Sequence, residues 1–412
     1  MKHVHSFTGE NRLIFLDNVR FLMIFFVVVL HCAASYGINE WWYVYDPKEC
    51  RLIFSYVMFF VDTFAMPMLF FIAGYFALPK IEQKGTFGFI ESKFVRLGIP
   101  WLICIVFIAP IIDFINHHTH GYNYSSLNYG QFWLEWLKRA IDFQFGFLTA
   151  TEQFNQFVYW FISLLLFFFI VFALICALKK KIAPLVPFFQ EKYHSDRTML
   201  WVMVFAGLLS VIASLIITTI PYPCPYPWVL VGNVLQFQLW RLPVYVIFFA
   251  LGVWAYGRGW FVRTNFPGPR FFWLSLCVVF SVCYVIFTNY YLANISDTRL
   301  FLVFIILVSF ARVIFLIVFT SFALNYWNRP HQLSHALSAN SYDIYLVHIP
   351  IVLIFQLLLT ELTDVSSFIK FGIVLFFSFA LSYAIGKYIT NRSPLLSVFC
   401  LFMIFVLMVI FL

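Results

Sequence analysis

Charged residues are scarce in this chain. Asp, Glu, Lys and Arg make up 11% of its 412 residues and 63% are hydrophobic, whereas soluble globular proteins have about 25% and about 45–50%. This composition excludes an ordinary water-soluble domain. The sequence also has no internal repeat, no low-complexity tail and no polar stretch long enough for a separate soluble domain. We therefore predict one integral membrane domain over residues 1–412.

Metal and redox motifs are lacking as well. The eight cysteines lie mostly inside apolar runs and form no CxxC pair, so we interpret them as small membrane-buried side chains. His117, His118 and His120 are close together, but we expect them in a solvated loop rather than at a metal. We predict no metal and no permanently bound cofactor.

Long apolar runs are abundant, and each is long enough to cross a hydrocarbon core of about 30 Å. They predict an all-α fold, a polytopic transmembrane helix bundle of about 10–11 spans. The candidate spans are 13–37, 52–78, 95–116, 156–178, 199–220, 237–257, 271–293, 299–324, 341–361, 368–389 and 395–412. The last is a possible extra span at the C-terminus.

The distribution of Lys and Arg predicts the orientation. With the N-terminus in the cytoplasm, most of these residues fall in cytoplasmic loops, near Lys80, Lys180 and Arg263, as the positive-inside rule requires. The net charge of +8 then reflects topology, and we predict no nucleic acid partner. Residues 117–155 and 221–235 are predicted to face outward. The segment QFWLEWLKRAIDFQF has the pattern of an amphipathic helix on the outer interface.

The first apolar run, RLIFLDNVRFLMIFFVVVLHCAASY from Arg12 to Tyr36, carries polar groups that hydrocarbon would reject. Intramembrane polar residues are functional by default. Arg20 and His31 are eleven residues apart, which places them within about 20° of one helix face and about 16 Å apart along the axis. Cleavage of this run as a signal peptide would remove His31, and we expect it to be retained.

The Arg, ten residues, His arrangement behind Leu-Asp-Asn resembles the first helix of the acyltransferase 3 family of integral membrane acyltransferases. Further resemblances run from about residue 12 to about 355. They are FFVDTFAMPMLFFIAGYF from Phe59, with Ala73 where Ser is usual; ESKFVRLGIPWL from Glu91, with Lys93 in place of the first Arg of Arg-x-x-Arg; VYWFISLLLFF from Val158, which includes Trp160; LWRLPVYVIFFALGVWAY from Leu239; and SYDIYLVHIPIVL from Ser341, which includes Tyr345 and His348.

This resemblance implies an O-acyltransferase that moves an acyl group from cytoplasmic acyl-CoA to a hydroxyl of an extracytoplasmic glycan or lipid-linked sugar, directly or through an acyl-enzyme. Members of the family succinylate glucans or acetylate O-antigens, and LDNVRF, MPMLFFIAGYF and KFVRLGIPW look most like the glucan-succinylating branch. The implied co-substrate is acetyl-CoA or succinyl-CoA, the other partners are membrane lipids, and the implied location is a bacterial inner membrane.

The residues themselves suggest roles in such a reaction. A buried neutral His31 can accept a proton as general base. Asp62, near the same depth, either holds the imidazole in one tautomer or pairs with Arg312 or another buried cation. Arg20, Lys93 and Arg96 lie at inner helix ends, where they bind donor phosphates or snorkel.

Supporting roles fall to residues near these positions. Asp17, one turn before Arg20, is expected to orient that guanidinium. Arg241 either touches a substrate anion or snorkels to the outer interface, and His348 is either the family's late histidine or a helix-to-helix hydrogen-bonding group. The alternative function is a secondary transporter of a small anionic or sugar-like solute, but the inverted repeats typical of such transporters are not found in the sequence.

Overall fold

The computed structural model describes residues 13–38, 42–182, 196–218, 228–261, 270–293 and 298–411. Helices account for most of them. The longer helices are α1 (Ile14–Ala34), α2 (Leu52–Lys93), α3 (Ile99–Ile103), α4 (Ala109–His120), α5 (Tyr129–Ile141), α6 (Trp160–Ile182), α7 (Asp196–Thr218), α8 (Leu242–Gly257), α9 (Arg270–Ala293), α10 (Thr298–Tyr326), α11 (Gln332–Thr360), α12 (Ser367–Ile385) and α13 (Pro394–Phe411).

The predicted all-α polytopic bundle is confirmed. Within the described ranges, seven helical stretches are long and apolar enough to cross a membrane. One of them, Leu52–His120, contains two of the predicted spans, and shorter apolar helices occupy the predicted spans in 242–257, 271–287 and 395–411. The loop around Arg263 and residues 221–227, which the sequence assigns to opposite sides of the membrane, lie outside the described residues.

The long helical stretch from Leu52 is broken at Gly85. Its φ of 71° and ψ of 174° lie in a region that L side chains rarely adopt, so glycine suits this position. After the break the chain passes through two single π turns, Phe94–Gly98 and Cys104–Ile108. Such turns are frequent at functional sites, and the first of them contains Arg96.

The amphipathic helix predicted in the outer loop is α5. Asn128 caps its N-terminus by accepting from the Gln131 amide at 2.9 Å. Two of its indoles, from Trp133 and Trp136, donate to carbonyl oxygens of the second π turn at 2.9 Å. The helix is therefore fixed to the bundle by specific hydrogen bonds as well as by its apolar face.

A small antiparallel sheet follows α5 and joins two distant parts of the chain. Its strands are β1 (Phe145–Phe147), β2 (Trp228–Val231) and β3 (Leu235–Gln238), in the order β1-β2-β3. Gly232 and Asn233 both have positive φ in the three-residue loop that joins β2 to β3, a conformation that Gly and Asn adopt more readily than other residues. The Asn233 amide donates to three backbone carbonyls at the end of α5, which ties the sheet to that helix.

Helices α2 and α8 cross in unusually close contact. A Cβ atom at Gly74 would lie 2.0 Å from the Phe249 carbonyl oxygen, and one at Gly252 would lie 2.0 Å from the Phe71 carbonyl oxygen. Small residues permit this approach of two backbones in a membrane. Helix α1 packs against α2, α10, α11 and α12, so the helix that carries Arg20 and His31 lies inside the bundle.

Candidate active site

A cavity of about 560 Å³ lies beside Arg20. Four cationic side chains line it: Arg20, Lys80, Lys93 and Arg96. The first, third and fourth are the predicted donor-binding residues, and the structure brings them together. Lys80 is an additional member that sequence reasoning did not assign to the site. It joins because the break at Gly85 folds the segments before and after it toward the same space.

Arg20 is held from two directions. Asp17 Oδ1 lies 3.1 Å from its Nη2, the contact that the sequence predicts one turn earlier on α1. On the other side, Arg20 donates to the Ser338 carbonyl at 3.2 Å and to the Ser341 hydroxyl at 3.4 Å. The guanidinium thus links α1 to α11 at the cavity wall.

Lys93 and Arg96 differ in their surroundings. The Lys93 ammonium lies 3.7 Å from the centre of the Phe169 ring, a cation–π contact. Arg96 is exposed and belongs to the first π turn. Lys93 ends α2 and Arg96 belongs to the π turn that follows, yet both side chains line the same cavity.

Apolar side chains line the part of the cavity that extends away from the cations. They come from α1, α2 and α6 and include Ile24, Leu69, Ile72, Phe161, Ile162 and Leu165. Ile24 lies one turn beyond Arg20 in the direction of His31. The cavity consequently combines a cationic mouth with an apolar interior, which suits a ligand that has an anionic head and a less polar arm.

His31, at the other end of α1, forms a hydrogen bond with His348. Their Nδ1 and Nε2 atoms are 2.9 Å apart, and the rings are stacked with centroids 5.1 Å apart. His348 is completely buried, whereas His31 is half-buried. The sequence offered two interpretations of His348, the family's late histidine or a helix-to-helix hydrogen-bonding group. The hydrogen bond to His31 is compatible with both.

The hydrogen-bond network assigns the tautomers of this pair. His348 Nδ1 lies 2.7 Å from the Tyr345 carbonyl oxygen, and because a carbonyl only accepts, this nitrogen carries the proton. In a neutral ring Nε2 is then an acceptor, so His31 Nδ1–H donates to it. Burial of an unpaired charge is costly, which favours two neutral rings. His31 Nε2 then has a lone pair to which no side chain in the described ranges donates a hydrogen bond.

Trp42 and Gln356 hold His31 in place. The Trp42 ring stacks on the His31 ring at 5.5 Å with an interplanar angle of 15°, and its indole N–H donates to Gln356 Oε1 at 2.9 Å. The buried Gln356 amide donates in turn to the His31 carbonyl at 3.0 Å. Sequence reasoning missed both residues, since Trp42 is in a loop and Gln356 is a lone amide in an apolar helix.

The structure distinguishes the two alternatives for Asp62. The Asp62 carboxylate forms an ion pair with Arg241, and the group at His31 Nδ1 is His348 instead. The alternative, a pair with a buried cation, is therefore the one observed. Arg312 donates to the Thr63 carbonyl at 3.3 Å. Arg241 also lies 4.6 Å from the centre of the Trp240 ring, so it is engaged at the start of α8.

Two other predicted supporting residues, Tyr345 and Trp160, lie where α11 meets the start of α6. The Tyr345 hydroxyl donates to the Val158 carbonyl, and Tyr159 donates in the opposite direction to the Leu346 carbonyl at 2.9 Å. These paired bonds fix α11 to the start of α6. Trp160 stacks on Tyr245 at 5.8 Å and packs beside these braces.

The histidines of the outer segment are not in a solvated loop. His117, His118 and His120 belong to the last turn of α4, and His117 is completely buried. Its Nε2 lies 3.6 Å from Asp113, which pairs with Arg139 of α5 at 2.8 Å. The expectation fails because α4 continues further than the apolar run, and α5 then covers its end.

Comparison with known proteins agrees with the geometry. The family model described as an acyltransferase domain matches residues 13–387. No curated protein and no solved structure matches significantly. The matched region contains both ends of the site on α1, the cationic cavity and the histidine pair. This chain belongs to the acyltransferase 3 family and is a multi-pass membrane acyltransferase that transfers groups other than aminoacyl groups.

Proposed function

We propose that this enzyme transfers an acetyl or succinyl group from cytoplasmic acyl-CoA to a hydroxyl of an extracytoplasmic glycan or lipid-linked sugar. The enzyme resides in the inner membrane of a bacterium, with its N-terminus in the cytoplasm. The arrangement along α1 carries the proposal: a cationic cavity at one end and a histidine with an open lone pair at the other.

The cationic cavity is the donor site in this proposal. CoA carries phosphates next to its nucleotide and a thioester at the end of a long arm. Arg20, Lys93 and Arg96 bind the phosphates through charge-assisted hydrogen bonds, and Lys80 adds a fourth positive charge. The arm follows the apolar interior toward His31, about 16 Å along α1 from Arg20.

The chemical step needs a base, because a sugar hydroxyl is a weak nucleophile until its proton is removed. His31 Nε2 takes that proton while the hydroxyl oxygen attacks the thioester carbonyl. The new acyl–oxygen bond forms, the acyl–sulfur bond breaks, and the imidazolium returns the proton to the departing CoA thiolate. The hydrogen bond to His348 holds the His31 ring in the tautomer that this step requires.

Donor binding to purified protein tests the proposal. We expect Arg96→Ala to weaken acyl-CoA binding about tenfold to a hundredfold, since a hydrogen bond to a charged group contributes roughly 1.5–3 kcal/mol. Lys93→Arg should bind normally, because guanidinium also stacks on an aromatic face such as that of Phe169. Isothermal titration calorimetry at two salt concentrations measures both effects.

A matched control is available for this experiment. Arg392 is exposed beside α12 and does not line the cavity, so Arg392→Ala should bind acyl-CoA as the wild type does. Equal affinity of Arg96→Ala and wild type at both salt concentrations would refute the phosphate-binding role and return Arg96 to a purely topological one.

A further inference from the structure

A second cavity, of about 610 Å³, lies at the opposite end of the bundle from the cationic one. Three segments form it: the loop after α1, the last turn of α4 with the residues that follow, and the end of α11. Among its lining residues are Tyr45, Thr119, His120, Tyr122, Leu357 and Thr360. In the proposed orientation this end is extracytoplasmic.

Two segments of this cavity also hold His31, and the third is joined to one of them. Tyr45 is three residues after Trp42, the residue that stacks on His31. Thr119 donates to the Tyr43 carbonyl at 2.6 Å, which fastens α4 to that loop. Leu357 directly follows Gln356, whose amide bonds to the His31 carbonyl. Two of the three segments that form the cavity therefore also contact the proposed base.

The lining chemistry narrows the class of ligand. Among the described residues that line the cavity there is no Asp, Glu, Lys or Arg, so a phosphate or carboxylate bound there would lose solvation without gaining a counter-charge. Hydroxyl and imidazole groups supply neutral donors and acceptors. His120 and Tyr122 stack with centroids 5.1 Å apart and an angle of 12°, which adds a flat aromatic surface.

A pyranose ring without charge matches these features. Its C–H groups form an apolar face that packs on tyrosine, while its hydroxyls reach the polar rim. From this geometry we infer that the second cavity binds an uncharged sugar unit of the acceptor, with Tyr45 and Tyr122 as stacking residues and Thr360 as a hydrogen-bonding residue. This inference rests on the proposed function and specifies its acceptor. The diphosphate of a lipid carrier has no place in this cavity.

Binding of uncharged oligosaccharides to the purified full-length protein tests the inference. The probes are maltohexaose and laminarihexaose, and saturation-transfer NMR titrations give their affinities. We expect Tyr45→Ala and Tyr122→Ala each to weaken binding about fivefold to tenfold, since an aromatic contact contributes about that factor. Tyr388→Ala is the matched control, because Tyr388 is an exposed tyrosine beyond the far end of α12 and should leave binding unchanged.

Acyl-CoA titrations on the same samples separate the two proposals. Normal acyl-CoA binding with sugar binding that is absent from the wild type, or equal in wild type and both tyrosine variants, overturns the sugar site and leaves the donor site standing. Binding of a polyprenyl diphosphate sugar but of neither uncharged probe also overturns it. If the wild type binds no acyl-CoA, the proposed function itself is contradicted.

Discussion

Two clusters of polar side chains lie within the bundle, and they differ in how their polar groups are paired. The histidine cluster consists of His31, His348, Trp42 and Gln356, and its members are joined by hydrogen bonds between uncharged groups. The ion-pair cluster consists of Asp62, Arg241 and Arg312, and it contains a carboxylate bound to a guanidinium. The two catalytic candidates named on sequence grounds, His31 and Asp62, lie one in each cluster.

The difference supports the proposed location of the base in the histidine cluster. In the ion-pair cluster the opposite charges of the half-buried Asp62 and Arg241 side chains offset one another. In the histidine cluster the contacts of His348, Trp42 and Gln356 hold the His31 residue in one orientation. The Nε2 atom of His31 then keeps an available lone pair. A carboxylate held by a guanidinium stabilises the structure, whereas an imidazole that is rigidly held with one nitrogen open can exchange a proton.

The largest expected effect concerns the open nitrogen. We expect His31→Ala to lower acyl transfer by about 10² to 10⁴, the usual contribution of a general base, while the protein still inserts and accumulates. Mass spectrometry of surface glycans from expressing cells measures the transfer. His335→Ala, which removes an exposed imidazole near the start of α11, serves as the control. Near-normal glycan acylation by a well-expressed His31→Ala variant would contradict the role of His31 as base, and the histidine cluster would then have no catalytic advantage over the ion-pair cluster.

A smaller effect, on stability, is expected in the ion-pair cluster. Asp62→Asn leaves the Arg241 guanidinium without its carboxylate, which should cost roughly 1.5–3 kcal/mol in the free energy of unfolding. The rate per folded molecule should stay close to normal. Thermal unfolding and single-turnover rates separate these effects, and the double variant Asp62→Asn with Arg241→Gln should recover part of the stability. A loss of rate by about 10² at normal stability would instead make Asp62 part of the catalytic machinery.

The smallest expected effect sharpens the comparison within the histidine cluster. Gln356→Leu has a similar volume but removes the bonds to Trp42 and to the His31 carbonyl. We expect kcat to fall about tenfold, because a small misplacement of a catalytic group is costly, with no change in the KM for acyl-CoA. Gln356→Glu, which retains an acceptor for the Trp42 indole, should fall between wild type and Gln356→Leu. A raised donor KM at normal kcat would contradict a positioning role.

Much of the bundle follows from hydropathy alone, because a membrane span must be long, apolar and helical to satisfy its backbone. The amphipathic helix α5 was predictable for a related reason, since its apolar spacing is visible over thirteen residues. The break at Gly85 and the two π turns were not. The break changes the direction of the chain at one residue, and each π turn adds one residue to a helical turn. The amino-acid composition of these segments does not indicate either change.

The site was predictable where its residues share one helix. Arg20 and His31 belong to α1, so helical geometry alone relates them. Gln356 and Trp42 reach His31 from distant parts of the sequence, and only tertiary packing brings them there. The alternatives for Asp62 stayed open for the same reason. Its position in the sequence gives its depth in the membrane, but the choice between His31 and a cation depends on how α2 faces its neighbours.

The reciprocal glycine contact between α2 and α8 has a consequence for the shape of the cationic cavity. Gly74 lies on α2 next to Ala73 and Ile72, which line that cavity, and Gly74 itself rests on the Phe249 carbonyl of α8. Because the backbones already touch, this wall of the cavity cannot move toward α8 unless the two helices separate. A single methyl group added at Gly74 would meet the Phe249 carbonyl and would displace α2 together with this wall of the cavity.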